Sequence, residues 1–280
     1  MSYAHPELLV DVEWLADHQS DENLVVVDCP WDLWSYNRAH IPGSVVRPGH
    51  AYVKAEDGDG SPGLHLPDGE ECAALASELG IGPETTVVTY DEWGSIFAAR
   101  LWWVLRYWGH RDVRVLNGGW QAWVAGGHPV LFDLPKLSSG SFEPDENRSK
   151  LVTLEELKAN HEDWEIWDVR TEGEYLGTEN QENERAGHIP GARNLEWCSV
   201  LENSNDPQAI RRFRSGDEIR QMLDEIGIPF DGTVVTHCQA AVRGAFGAFV
   251  LELLGHPDPR LYDGSMGEWA NRSDTPLATG

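Results

Sequence analysis

The 280-residue chain repeats itself, and that restricts its fold more than any other feature of the sequence. LVVVDCPWDLW (24–34) is answered by EIWDVRTEGEY (165–175), and RAHIPGSVV (38–46) by AGHIPGARNL (186–195). TVVTYDEWG (86–94) is answered by TVVTHCQAA (233–241), and LNGGWQAWVAGGHPV (116–130) by LYDGSMGEWANRSDTPL (261–277). The partners keep their order and nearly constant separation; Val88 and Val235, for example, are 147 positions apart. Four blocks held in register indicate duplication, so residues 1–132 and 151–280 are expected to be two copies of one domain. Residues 133–150 lack hydrophobic periodicity and are rich in Ser, Pro and charge, which reads as a linker.

Within each half, short β-branched runs alternate with amphipathic stretches. VVV (25–27), TVVTY (86–90) and VRVL (113–116) have the continuous apolar character of strands buried on both faces, as do EIWDV, TVVTH and RLY in the second half. Between them, residues 69–79, 95–108, 215–226 and 244–254 have the pattern of helices. This alternation predicts an α/β class fold in which each domain is a mostly parallel sheet with helices on both faces. Ligands of such sheets sit beyond the carboxyl ends of the strands, which directs attention to the residues after TVVTH.

Those residues are Cys238, Gln239, Ala240, Ala241, Val242 and Arg243, followed by Gly244 and a helix. A short strand-to-helix loop turns successive N–H groups toward one point, and the helix dipole adds to that anion-binding field. The same field favours a thiolate over a thiol, which makes Cys238 the candidate nucleophile. Gln239, Ala240, Ala241 and Val242 form the cradle, and Arg243 adds a permanent positive charge. The matching loop of the first half begins Asp91-Glu92-Trp93 and offers neither a thiol nor a neighbouring Arg.

Composition narrows the alternatives. Lys and Arg number 21 against 47 Asp and Glu, a formal charge of −26, and a surface this acidic repels phosphate backbones. No nucleic-acid partner is expected. No run reaches the roughly 20 apolar residues of a membrane helix, and the N-terminus lacks the basic start and apolar stretch of a signal peptide. A soluble, cytoplasmic monomer is therefore expected. The four cysteines, Cys29, Cys72, Cys198 and Cys238, include no CxxC pair, so neither a zinc ribbon nor a dithiol motif is read here, and no metal or cofactor is called for.

The paired HIPG segments, the strand–Cys loop–helix and the YDGSMGEW block together resemble the tandem-domain rhodaneses, the thiosulfate and 3-mercaptopyruvate sulfurtransferases, over nearly the whole chain. The loop that begins Cys-Gln and ends in Arg is especially similar to bacterial thiosulfate sulfurtransferases. The resemblance implies a catalytically silent N-terminal domain. It also implies a double displacement in which Cys238 takes the outer sulfur of thiosulfate and passes it to cyanide or a thiol, small molecules being the partners. The chemistry of thiolate attack on sulfur is consistent with this and needs no metal. Arg185, just before the second HIPG segment, is implied as a further substrate contact. Arg170 and Trp197 are expected near the same edge, with structural roles at least as well supported. Glu174 departs from the animal-type pattern, which has a second substrate arginine there, and this lowers the mercaptopyruvate alternative. Two other readings stay in view: a non-catalytic binding module, and a cysteine phosphatase. Phosphatases use His-Cys-x5-Arg, and the spacing from His237-Cys238 to Arg243 is one residue short of it.

Overall fold

The computed structural model describes residues 3–46, 53–55, 63–132, 139–206 and 209–280. In the first half the order is β1 (Leu9–Val10), α1 (Val12–His18), β2 (Leu24–Asp28), α2 (Leu33–Arg38), β3 (Val45–Val46), α3 (Gly69–Glu78), β4 (Thr86–Tyr90), α4 (Ile96–Tyr107), β5 (Val113–Leu116) and α5 (Gly119–Ala125). The second half repeats it with β6 (Leu151–Val152), α6 (Leu154–Asn160), β7 (Glu165–Asp168), α7 (Glu172–Leu176), β8 (Arg193–Asn194), α8 (Gly216–Glu225), β9 (Val234–His237), α9 (Val242–Leu253), β10 (Pro259–Tyr262) and α10 (Ser265–Trp269). The sheets run β1-β5-β4-β2-β3 and β6-β10-β9-β7-β8, with every pairing parallel. The expected α/β class is therefore what forms. The two-residue strands at each sheet's edges carry too few residues for a periodic signal, and the sequence does not announce them.

Strand side chains alternate between two helical layers. In the second domain Val152, Ile166, Val235 and Tyr262 pack with Leu154 and Leu157 of α6 and with Met266 and Trp269 of α10. Thr236 faces the other way and donates its hydroxyl to the Gly244 carbonyl of α9 at 2.9 Å. Two glycines let α9 lie close on the sheet: a Cβ at Gly244 would stand 2.8 Å from Leu261 Cδ1, and one at Gly247 3.0 Å from Val169 Cγ1. In the first domain Val26, Val88 and Leu116 pack on α1 and α5, while α4 buries ten of its residues on the opposite face.

The chain divides into two compact units, Pro6–Asn147 with Leu201–Phe213, and Arg148–Val200 with Met1–His5 and Arg214–Gly280. The Leu201–Phe213 excursion closes on itself through an antiparallel bridge between Leu201 and Phe213, and Asn117 Oδ1 accepts from the Phe213 amide at 3.0 Å. Of the stretch read as a linker, residues 133–138 lie outside the described residues. Further along it, the amides of Gly140, Asp145 and Asn147 bond to the carbonyls of Ser77, Trp108 and Tyr107.

At the carboxyl ends of the central strands the two domains use different chemistry at one register position. Asp28 faces Tyr90 across β2 and β4, and Asp168 faces His237 across β7 and β9. Burial, with the negative charges of Asp91 and Glu92 behind it, pushes the Asp28 carboxyl up to about 8, although the hydrogen bond from Tyr90 opposes the shift. A raised carboxyl pKa means that the folded state holds the proton more tightly than the unfolded chain does. Its contribution to stability is fully present below the ordinary value of 3.8 and is lost as pH rises through about 8. In Asp28→Asn the thermal midpoint should fall less between pH 4 and 8 than in the natural protein. Parallel pH profiles of the two proteins would contradict this.

Candidate active site

β9 ends at His237, and the chain turns through Cys238–Ala241 into α9. Ala241 takes φ 63°, the left-handed conformation, and this starts α9 at Val242, two residues earlier than the hydrophobic pattern suggests. The turn is held from behind by α10. Ser265 Oγ accepts from the amides of Cys238 (3.2 Å) and Ala241 (3.1 Å) and donates to the Tyr262 carbonyl (3.0 Å). The amides of Met266 and Gly267 bind the carbonyls of Cys238 (3.0 Å) and Gln239 (2.8 Å). With these carbonyls engaged by α10, the first amides of α9 have no intrahelical acceptor and no side-chain cap. Cys238, 1% exposed, stands at the head of this uncapped helix.

The loop of the first domain provides an internal comparison. The Asp91 carboxylate accepts from the amides of Trp93, Ser95, Phe97 and Ala98 at 2.8–2.9 Å. The first domain's loop thus fills its own amide cradle with a built-in carboxylate. Burial still lifts the Asp91 pKa, with the four amide hydrogen bonds pulling against it. In the second domain the equivalent cradle holds a thiol on the strand side and no carboxylate.

Gln239 does not turn its amide inward. It exchanges hydrogen bonds with Asn183, Nε2 to Oδ1 at 2.8 Å and Nδ2 to Oε1 at 3.1 Å, and Asn271 braces Asn183 at 3.2 Å. Ala240 is half-buried, and Ala241 and Val242 are buried, so this part of the loop presents backbone rather than functional side chains. Arg243 is one-fifth exposed and makes a bidentate pair with Glu174, Nη1 to Oε2 at 2.6 Å and Nη2 to Oε1 at 2.9 Å. Burial works against the Arg243 charge, but the hydrogen bonds it donates to Glu174 and the negative charges of Glu174 and Asp168 hold its pKa above the ordinary value. Glu174 is buried, which alone would raise it, yet Arg243 and the Thr171 amide hold it below the usual carboxylate range.

The other arginines expected at the edge are engaged elsewhere. Arg185 donates to the carbonyls of Trp269, Ala270, Arg272 and Thr275 and to the Thr275 hydroxyl. These contacts brace the chain following α10. Arg170 is buried in a bidentate pair with Asp168 and donates to the Gly187 carbonyl at 2.9 Å. Trp197 stands edge-on to Phe246 of α9, ring centroids 5.5 Å apart. His237 is fully buried, and burial lowers its pKa. Its Nε2 is 3.6 Å from Asp168 Oδ2 and makes no hydrogen bond among the described residues.

Sequence reasoning missed the roles of Ser265 and Asn183. A signal for Ser265 did exist: it stands where the first repeat has Gly119, and both adopt positive φ, 52° and 51°, a conformation that favours glycine.

Comparisons with known proteins place the fold in a family. The family described as rhodanese-like domain matches residues 11–126 and again 153–272. The chain belongs to the rhodanese family. Over its whole length it is 34% identical to the sulfur carrier protein TtuD of Thermus thermophilus, covering 99% of that protein. It is 36% identical to a thiosulfate sulfurtransferase of Corynebacterium glutamicum, with 99% of this chain and 92% of the relative covered. The Escherichia coli 3-mercaptopyruvate sulfotransferase SseA superposes with a TM-score of 0.80 at 26% identity, over 92% of this chain and 98% of that one. This rhodanese is thus a tandem-domain protein of a sulfurtransferase family. None of its described helices is long and apolar enough to cross a membrane.

Replacing Ser265 by Ala removes the acceptor of two loop amides and leaves them buried. The second domain should lose about 1–3 kcal/mol in denaturant unfolding. An unchanged midpoint would show that the hydroxyl does not hold the turn.

Proposed function

We propose that this rhodanese moves sulfane sulfur from thiosulfate to cyanide or a thiol acceptor through a persulfide on Cys238. The observation that carries the reading is the contrast between two equivalent loops. One has its amides occupied by Asp91, and the other keeps a helix N-terminus uncapped beside a cysteine. Such a cradle stabilises negative charge that develops on or near Cys238, both the attacking thiolate and the terminal sulfur of a persulfide.

In the first half-reaction the Cys238 thiolate attacks the outer sulfur of thiosulfate. A new S–S bond forms at Cys238 while the donor's S–S bond breaks, and the electron pair leaves with sulfite. In the second, cyanide or a thiolate attacks the terminal sulfur and Cys238 departs as thiolate. Charge and atoms balance in both steps, and no oxidant or proton donor is required. His237 is assigned no acid–base role, because it is fully buried and burial disfavours its charged form. The loop amides of Gln239, Ala240, Val242 and Arg243 are the proposed donor cradle, the Ala241 amide being held by Ser265, and Arg185 is assigned a structural role on its carbonyl contacts. The names of the Corynebacterium and Thermus relatives support sulfur transfer and carriage as the class of activity.

Incubation with thiosulfate should add the mass of one sulfur atom to the intact protein. Cyanide should remove it, and Cys238→Ala should never acquire it. An unchanged mass in the natural protein, or a gain that survives Cys238→Ala, would defeat the proposal.

A further inference from the structure

Each of the three arginines that the sequence offers for an anionic substrate is already engaged within its own domain: Arg170 by Asp168, Arg185 by backbone carbonyls, Arg243 by Glu174. The last pairing matters most, because Arg243 is the cation of the Cys238 loop. Its fork meets a carboxylate with two parallel contacts, 2.6 and 2.9 Å, the geometry in which guanidinium binds carboxylates best. Glu174 is also fixed from its own side. It closes a capping box with Thr171, whose amide and hydroxyl both donate to Oε2 at 3.2 Å, and only 1% of the residue is exposed. A substrate that presents a planar carboxylate to Arg243 would have to displace an identical group that is anchored, buried and charged.

Resting on the sulfur-transfer reading, we infer that Glu174 determines donor specificity by occupying Arg243. It excludes donors whose carboxylate needs that fork, the α-keto-carboxylate thiols such as 3-mercaptopyruvate. It leaves the site to compact donors whose charge is taken by the loop amides, such as thiosulfate. Glu174 touches neither the reacting sulfur nor the cradle amides; it acts through Arg243 as a positioning residue. An interaction that repels the wrong substrate contributes to selectivity as much as one that attracts the right substrate.

The test compares the full-length natural protein with Glu174→Gln, using each donor in turn with cyanide as acceptor. Gln at this position retains the capping box, so α7 keeps its start, while the charge that ties down Arg243 is gone. The ratio of kcat/KM for 3-mercaptopyruvate to that for thiosulfate should rise by about tenfold, the usual size of one charge-assisted contact. The change should lie in KM for 3-mercaptopyruvate, with the rate of sulfur release from preloaded persulfide to cyanide unaltered. In an Arg243→Gln background the same replacement should leave the ratio where it was. A ratio unchanged in folded Glu174→Gln, or a rise that persists without Arg243, would overturn the inference, as would a natural protein that prefers 3-mercaptopyruvate. Should Glu174→Gln not fold, the natural protein carries the test. Pyruvate, which has the carboxylate and no sulfur, should fail to compete with thiosulfate at concentrations where sulfite does, and equal competition would overturn the inference. If neither donor loads Cys238 by intact mass, the sulfur-transfer reading itself fails.

Discussion

A helix that starts at the carboxyl end of a buried parallel strand brings its first amides into the interior with no carbonyl to receive them. They need an acceptor, and both halves of this chain are organised around supplying one. In the first domain Asp91 supplies it from inside, binding four amides at once. In the second, Ser265 takes the amides at the back of the turn, and α10 takes the carbonyls. The front is left to Cys238 and whatever anion it meets. Gly244 and Gly247, by letting α9 lie close on β9 and β10, bring the helix end to the strand end and so place the field on the sulfur.

Charge at this site is balanced locally. The protein carries a formal −26, yet the neighbourhood of Cys238 contains Arg243 and Arg170, each matched by one buried carboxylate. Asp168 is held below its ordinary pKa because His237 and Arg170 offset the burial that would raise it, whereas Asp28, at the equivalent position without an arginine, is pushed up to about 8. The same fold position is thus anionic in the second domain and proton-binding in the first. A histidine facing the aspartate and an arginine two residues after it stand where the first domain has Tyr90 and Pro30.

Much of this could be read from the sequence alone. The duplication, the parallel α/β class, the inequality of the two loops and the place of Cys238 between a strand end and a helix start all follow from local pattern. A strand, a turn, a helix start and a nucleophile lie within a dozen consecutive residues there, so chain connectivity alone brings them together. Glu174 was visible as a departure from a related pattern, but only as a missing arginine.

Partnership was decided by tertiary structure. Arg243 and Glu174 are 69 positions apart, Gln239 and Asn183 56, and Cys238 and Ser265 27. No periodicity or spacing encodes such pairs, because each depends on how α7, the loop before β8 and α10 come to rest around the end of β9. Arg185 illustrates the same limit, since a guanidinium beside a substrate and one bracing four carbonyls look identical in a sequence. The sequence by itself determined that Cys238 would sit in an anion-stabilising turn, because that is a property of backbone geometry in a contiguous segment. Only the folded chain decided that the cation beside it would already hold a carboxylate, because that depends on which side chains the packing of separate elements brings into contact.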